Sequence, residues 1–378
     1  MARLGDICTI SSNNVPILDN RIWLLNLDMV EQQTGSIISY NYVGKDELNG
    51  SIIQFDTDNV LYSKLRPNLN KVVIPDRRGF ATSEMLPLKP NTSVLCREYL
   101  AAYLRSDSFV SWAVSKTAGA KMPRLGTKVL LDKDIPLPRL EEQRRIAALL
   151  DKIGDLIAKR RAQLDKLDLL VKSRFMEMFG DPVINPYGWD TSDLINLGEC
   201  KNGMNFHTDD SGVAIHCLGV GDFKDLSLIE DTSKLPTISL NEMPSDDYLL
   251  ANGDIVFVRS NGNKALVGRS VAVYPNDIPT TFSGFCIRFR IQNPAILPSY
   301  LLRVLKTDSM RKKMAGRGAN IQNLNQKILA ELRIPIPGLA LQEEYELFIK
   351  KIDKSKLTVQ RSLDKLETLK KALMQQYF

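Results

Sequence analysis

Arginine, asparagine and glutamine can grip a planar edge through two parallel hydrogen bonds, and lysine and arginine neutralise phosphates. In this chain such residues gather in four places. Lys64, Arg66, Lys71, Arg77 and Arg78 fall within fifteen residues that hold one acid, Asp76. Lys116, Lys121, Arg124 and Lys128 crowd the loop Gly119–Leu125 and its flanks. Arg259, Asn261, Asn263, Lys264 and Arg269 follow the strand-like run Asp254–Ser260. Arg303, Lys306, Arg311, Lys312, Lys313 and Arg317 face only Asp308, and Asn320, Gln322 and Asn323 lie just beyond. For any one of these residues a solvated charged face is the competing reading.

Other chemistry is thinly represented. Asn185-Pro186-Tyr187 lacks the second proline of the Asn-Pro-Pro-Tyr motif of adenine methyltransferases and sits among turn residues. Glu199-Cys200-Lys201 has the Glu-x-Lys spacing of some nucleases, but the corresponding Asp6-Ile7-Cys8 does not repeat it. His207, His216 and Cys217 are too few and wrongly spaced for zinc. Gly219-Val220-Gly221 is half a dinucleotide fingerprint and opens no helix, and the chain has no Gly-x-x-x-x-Gly-Lys-Ser/Thr loop for ATP. These absences point away from an enzyme.

The elements that position the basic clusters occur twice. Shifted by 199 positions, Ile135-Pro136-Leu137-Pro138 falls on Ile334-Pro335-Ile336-Pro337, Gln143 on Gln342, Leu164-Asp165-Lys166-Leu167 on Leu363-Asp364-Lys365-Leu366, and Phe179 on Phe378. No gap is needed, so the run is an internal duplication. Both copies lack internal proline and predict long helices. Ile146, Leu150, Ile153, Ile157, Arg160, Leu164, Leu167, Val171, Arg174 and Met178 form one 3.5-residue stripe. Tyr345, Ile349, Ile352, Lys356, Val359, Leu363, Leu366, Lys370, Leu373 and Tyr377 form the other; eight of ten are apolar in each. Such a stripe is a coiled-coil seam, and two seams on one chain predict an antiparallel pair. A two-fold axis at mid-helix pairs Ile146 with Tyr377, Leu150 with Leu373, Ile157 with Leu366 and Leu164 with Val359, so that every basic interruption meets an apolar partner.

Around the helices the plan repeats more loosely. The strand Asn59–Leu65 answers Asp254–Ser260, and the helix predicted over Tyr99–Ser108 answers that over Tyr300–Ser309. The expected segments are a first globular domain over 1–134, a first long helix over 135–180, a linker and second domain over 181–333, and a second long helix over 334–378. Residues 180–189, Gly-Asp-Pro-Val-Ile-Asn-Pro-Tyr-Gly-Trp, make a turning joint. The connectivity predicts two inverted heads on a rod.

Bulk properties set few further limits. A chain of 378 residues has room for two or three domains, and a net charge of +6 is mild. No apolar run approaches a membrane span, and the N-terminus has no hydrophobic signal core. Five scattered cysteines fit a reducing cytoplasm.

A globular unit, an Ile-Pro-x-Pro lead-in followed by glutamine and a long helix, the Gly-Asp-Pro…Asn-Pro…Gly-Trp joint, and then the same again resemble the specificity subunit of type I restriction–modification systems. The resemblance covers the whole chain. It implies an α+β fold of two target recognition domains in a tandem pseudo-two-fold repeat, separated by a long antiparallel coiled coil. It also implies that each head reads one half of a split, asymmetric site on double-stranded DNA, and that the helices set the gap between the halves. The partners implied are two methyltransferase subunits and restriction subunits; S-adenosylmethionine, ATP and magnesium belong to them, and this chain binds no cofactor. Arg144-Arg145 answers Glu343-Glu344, so the two partner-facing surfaces differ in charge. With this resemblance the DNA-binding candidates are Lys64, Arg66, Arg77, Arg78, Lys121, Arg124, Arg259, Asn261, Lys264, Lys312, Lys313, Arg317, Asn320, Gln322 and Asn323. Competing readings are the targeting fragment of a single-chain modification enzyme and a scaffold whose heads bind proteins.

Overall fold

The structure is a computed structural model describing residues 1–10, 21–44, 47, 51–119, 121–207, 210–223, 227–315 and 323–378. The chain forms two compact units, Met1–Gln163 with Val359–Phe378, and Leu164–Thr358. Its helices are α1 (Leu4–Ile7), α2 (Arg97–Leu104), α3 (Asp107–Ser115), α4 (Thr127–Leu131), α5 (Leu140–Phe179), α6 (Pro298–Leu305), α7 (Asp308–Ala315), α8 (Gln326–Ala330) and α9 (Leu339–Tyr377). The boundary between units falls within α5 and within α9, so each head owns part of both long helices.

In the first unit, Cys8–Ile10, Met85–Pro90, Val60–Ser63 and Val72–Val73 form an antiparallel sheet in that order. A second sheet runs Tyr42–Gly44, Arg21–Leu25, Gly79–Thr82, Ile52–Phe55, with its middle pair parallel. The second unit repeats both. Gly198–Asn202, Cys286–Ile291, Asp254–Val258, Ser270–Val273 and Leu228–Ile229 make one sheet. Thr237–Leu240, Val213–Leu218 and Thr280–Phe282 make the other, again with a parallel pair. Both strands at the centre of the plan, Val60–Ser63 and Asp254–Val258, are wholly buried, which accounts for the consecutive apolar residues Val60–Tyr62 and Ile255–Val258.

The apolar runs after these sheets are broken helices rather than the single ones their composition suggests. α2 stops at Leu104 because Ser106 starts a new helix, its Oγ accepting from Phe109 N at 3.3 Å. Thr307 does the same between α6 and α7, accepting from Met310 N at 3.4 Å. Thr117–Ala118 pairs with Arg124–Leu125, at the end of the basic stretch, in a small hairpin.

Glutamine holds each head to its long helix. Gln143 is fully buried at the start of α5; its Oε1 accepts from Cys96 N at 2.8 Å, and its Nε2 donates to Val94 O and Pro138 O, both at 2.8 Å. Gln342, equally buried, accepts from Leu297 N at 2.9 Å and donates to Ala295 O and Pro337 O. Tyr99 and Tyr300 add matching bonds to Pro136 O and Pro335 O. The proline-rich lead-in leaves carbonyls without strand partners, and glutamine offers the acceptor and two donors that satisfy the junction.

All twenty stripe positions are buried or half-buried. Within the first unit α5 and α9 run antiparallel, with Arg145 donating to Tyr377 Oη at 3.4 Å and Arg161 pairing with Glu367 at 2.8 Å. Within the second, Arg174 pairs with Glu344 at 2.9 Å and Lys356 with Asp168. The Arg145–Tyr377 and Asp168–Lys356 contacts lie within one residue of the register that places basic stems against apolar partners. Each head also seats one helix end: Phe378 lies 5.3 Å from the Tyr99 ring, and Phe179 lies 4.8 Å from that of Tyr300.

α5 ends at a left-handed glycine. Gly180 has φ +75°, and a Cβ there would meet Pro186 Cγ at 2.4 Å. Asn185, also left-handed, accepts from Trp189 N and donates to Trp189 O, while Trp189 Nε1 donates to Phe179 O. Asn185-Pro186-Tyr187 is therefore part of a turn.

Candidate nucleic-acid interface

The end of the central strand is the place where the basic clusters of each head meet. In the first head Lys64 follows Val60–Ser63; its N–H donates to Glu84 O at 3.0 Å, and its carbonyl accepts from Leu125 N at 2.9 Å. Arg66 sits two residues on with φ +48°, its N–H donating to Pro123 O at 2.8 Å. Arg124 Nε donates to both oxygens of Glu84 at 3.1 and 3.2 Å. Exposed Lys121 lies in the turn of that hairpin. Of the predicted residues, Lys64 and Arg124 thus meet at Glu84, and Arg66 is tied to the same hairpin through Pro123.

Arg77 and Arg78 occupy a different turn. Arg77 grips Asp76, donates to Tyr42 Oη at 2.6 Å and lies over the Tyr40 ring at 4.4 Å. The hydrogen bond from Arg77 holds the Asp76 carboxyl below its usual range. Arg78 is exposed beside it. Lys71 is anchored to Leu27 O.

The second head builds the same junction from other residues. Arg259 follows Asp254–Val258; its N–H donates to Phe285 O at 2.8 Å, and its carbonyl accepts from Leu324 N at 2.9 Å. These two bonds place Arg259 where Lys64 stands, Phe285 where Glu84 stands, and Asn323 where Arg124 stands. Phe285 is 61% exposed and Asn323 is exposed. Asn261 Oδ1 accepts from Asn263 N at 2.7 Å, which shapes the loop bearing exposed Lys264. Arg311 Nη2 donates to Val267 O at 3.1 Å, tying α7 to that loop and setting exposed Lys312 and Lys313 beside it. Arg317, Asn320 and Gln322 lie outside the described residues.

A denser knot of cations lies at the α6–α7 corner. Burial first, and then neighbouring Arg303, Arg269, Arg311 and Lys356, push Lys306 down to about 8. Its Nζ donates to Ser227 Oγ at 2.9 Å. Burial likewise lowers Arg303 and Arg311.

The enzyme-like fragments are occupied structurally. Glu199 bonds Arg288, which is 1% exposed, at 2.7 Å, and Lys201 pairs with Asp247 at 2.9 Å. His216 Nδ1 lies 3.0 Å from Leu235 O, and Gly219 N donates to Asp222. Burial pushes the Cys8 and Cys217 thiols up to about 12 and Cys200 up to about 11. Among the described residues no three His, Cys, Asp or Glu side chains converge as a metal site. No helix among them is long and apolar enough to cross a membrane.

Two sheet-bearing heads, each fixed by a glutamine to a long helix and carrying a basic strand end, make a duplicated α+β module. Residues 1–168 and 187–368 both match the type I restriction modification DNA specificity domain, and the chain belongs to that family. It is similar to the type I restriction enzyme MjaVIII specificity subunit of Methanocaldococcus jannaschii, 24% identical over 318 residues, 79% of this chain and 73% of that one. The StySPI specificity subunit of Salmonella potsdam is 25% identical over 266 residues, 65% of this chain and 56% of its own. Among solved structures, a chain from work on assembly and conformational transition of a type I restriction–modification system aligns with TM-score 0.62 at 17% identity. The alignment covers 100% of this chain and 96% of that one. The S subunit of M. genitalium aligns with TM-score 0.60 at 13% identity, over 100% and 95% of the two chains.

Sequence reasoning missed Glu84 and Phe285. Glu84 reads as a lone acid and Phe285 as a core aromatic; only the strand register brings them to equivalent, outward positions.

Proposed function

We propose that this chain is the non-catalytic, sequence-reading subunit of a type I restriction–modification complex, and that it recognises an asymmetric, two-part site on double-stranded DNA. The observation that carries this reading is the strand junction built twice on one hydrogen-bond scheme with different exposed residues: Lys64, Glu84 and Arg124 in one head, Arg259, Phe285 and Asn323 in the other. A shared scaffold with altered tips suits two different short sequences. Lys121, Lys264, Lys312 and Lys313 neutralise phosphates and set register, while Arg and Asn side chains at the strand ends meet base edges. The long helices set the number of unread base pairs between the half-sites and dock two methyltransferase subunits, with restriction subunits joining that core. S-adenosylmethionine, ATP and magnesium are bound by those partners.

The test is to map methylated adenines across a host genome with and without this chain. A two-part asymmetric motif that disappears with the chain is expected; one uninterrupted motif would overturn the two-head reading. Methylation by the purified chain alone would instead favour a single-chain modification enzyme. With partners present, DNA binding should weaken steeply as salt rises, since each neutralised phosphate releases counterions. Lys312→Ala with Lys313→Ala should weaken binding to all sequences about equally and flatten that slope by roughly two. Binding that ignores salt would argue for heads that bind protein.

A further inference from the structure

The two strand junctions present different hydrogen-bonding patterns at one place in the fold. In the first head Arg124 and Glu84 form a linked pair, with side chains 44% and 23% exposed. Arg124 spends its Nε–H on Glu84, so the terminal nitrogens still offer a donor fork beside a carboxylate acceptor. In the second head the matching positions hold Asn323, which offers one donor and one acceptor together, and Phe285, an apolar ring 61% exposed.

These patterns correspond to the major-groove edges of the two kinds of base pair. A G·C pair shows two acceptors on guanine, N7 and O6, followed by the N4 donor of cytosine. An Arg fork followed by a carboxylate is its complement. An A·T pair shows the N7 acceptor and N6 donor of adenine, then O4 and the methyl group of thymine. A carboxamide followed by an apolar ring complements that edge. The Glu84 carboxylate, held by Arg124 Nε, keeps lone pairs that an amino group can use, and a ring as exposed as Phe285 gains from burial against a methyl group.

We propose that this junction is a base-reading position in both heads, taking a G·C pair in the first half-site through Arg124 and Glu84 and an A·T pair in the second through Asn323 and Phe285. The proposal rests on the reading of the chain as a DNA-specificity subunit. Lys64 and Arg259, at the root of each junction, lie beside these pairs.

The experiment uses the full chain assembled with its methyltransferase subunits. Bound duplexes are selected from a randomised library and sequenced, and the selected duplex is then resynthesised with single-atom changes. Replacing one guanine of the first half-site by 7-deazaguanine removes the N7 acceptor and should weaken binding at least about five-fold. Replacing one thymine of the second half-site by uracil removes the methyl group and should weaken binding about three- to five-fold. Phe285→Ala should abolish the uracil effect, and Arg124→Leu the deazaguanine effect. Phe285→Glu with Asn323→Arg should convert one A·T pair of the second half-site to G·C and leave the first half-site unchanged. All four side chains are at least partly exposed, and the modified duplexes test the unaltered chain in any case. Indifference of the unaltered complex to both replacements, at every guanine of the first half-site and every thymine of the second, would overturn the proposal. Sensitivity that persists in the variants would overturn it as well. A complex that enriches no sequence at all would overturn the underlying functional reading.

Discussion

Lys306 shows how much local charge the second head tolerates. Its ammonium is buried beside Arg303, Arg269, Arg311 and Lys356, and its pKa falls from 10.5 to about 8. The unfolded chain therefore holds more protons than the folded one between those values. Stability gains from this group as pH rises through that window, by at most about 1.4 kcal/mol per pH unit. Below about pH 8 the full penalty is present. Lys306→Met should therefore be more stable than the parent at neutral pH, with the difference shrinking as pH rises toward 10. Thermal unfolding of both chains across that range checks this, and a difference independent of pH would exclude Lys306 as its source. At this scale the sequence was half legible. Runs of Lys and Arg stand out because little acid interrupts them. What each residue does depends on neighbours brought by strand register: Arg77 is engaged with Asp76 and Tyr42, and Glu84 sits inside the first basic patch.

The long helices were the most legible elements, because a seam must repeat every 3.5 residues regardless of what flanks it. Ile146, Leu150, Ile153, Ile157, Tyr345, Ile352, Val359 and Leu363 are buried, and Leu164, Leu167, Val171, Ile349, Leu366 and Leu373 are half-buried. Within the first unit, cysteines replacing Ile157 and Leu366 should cross-link readily, in the register that the Arg145–Tyr377 contact matches to within one residue. Preferential linkage of 157 to 373 would contradict that register. The heads were harder to read. Short strands such as Val72–Val73 and Leu228–Ile229 carry too few residues to show a period, and Ser106 ends one helix and caps the next between two apolar helical stretches. The glutamines were visible as repeats, but their role was not, since it depends on unpaired carbonyls several turns of chain away. Replacing Gln143 with Leu would strand the Cys96 N–H and the Val94 and Pro138 carbonyls in a buried junction. A destabilisation on the order of 3 kcal/mol is expected in urea unfolding, and a similar one for Gln342→Leu. A loss below about 1 kcal/mol would mean that water replaces these bonds.

For the whole molecule, the ungapped repeat of the helices carries a testable consequence. In a fragment of residues 1–180, the second half of α5 from another copy can stand where the end of α9 stands in the full chain. The same two-fold register then pairs Ile146 with Met178, Leu150 with Arg174, Ile153 with Val171, Ile157 with Leu167 and Arg160 with Leu164. No two basic residues meet, and the stem of Arg174 can lie along Leu150 with its charge in water. The aromatic seat is also compatible. Phe378 rests against Tyr99 and Tyr103 in the first head, and its repeat counterpart Phe179 rests against Tyr300 in the second, so Phe179 suits the same kind of site. A two-fold dimer is the usual closed solution for such a self-complementary surface. The fragment is therefore expected to dimerise and, with methyltransferase subunits, to direct modification of a palindrome made of two copies of the first half-site. The spacing should match the parent site, because the helix length is unchanged. Sedimentation and methylation mapping check the two parts separately. A fragment that stays monomeric at tens of micromolar would show that Phe179 and Arg174 cannot replace Phe378 and Leu373. A dimer that modifies an asymmetric site would show that its two copies of the head do not act alike.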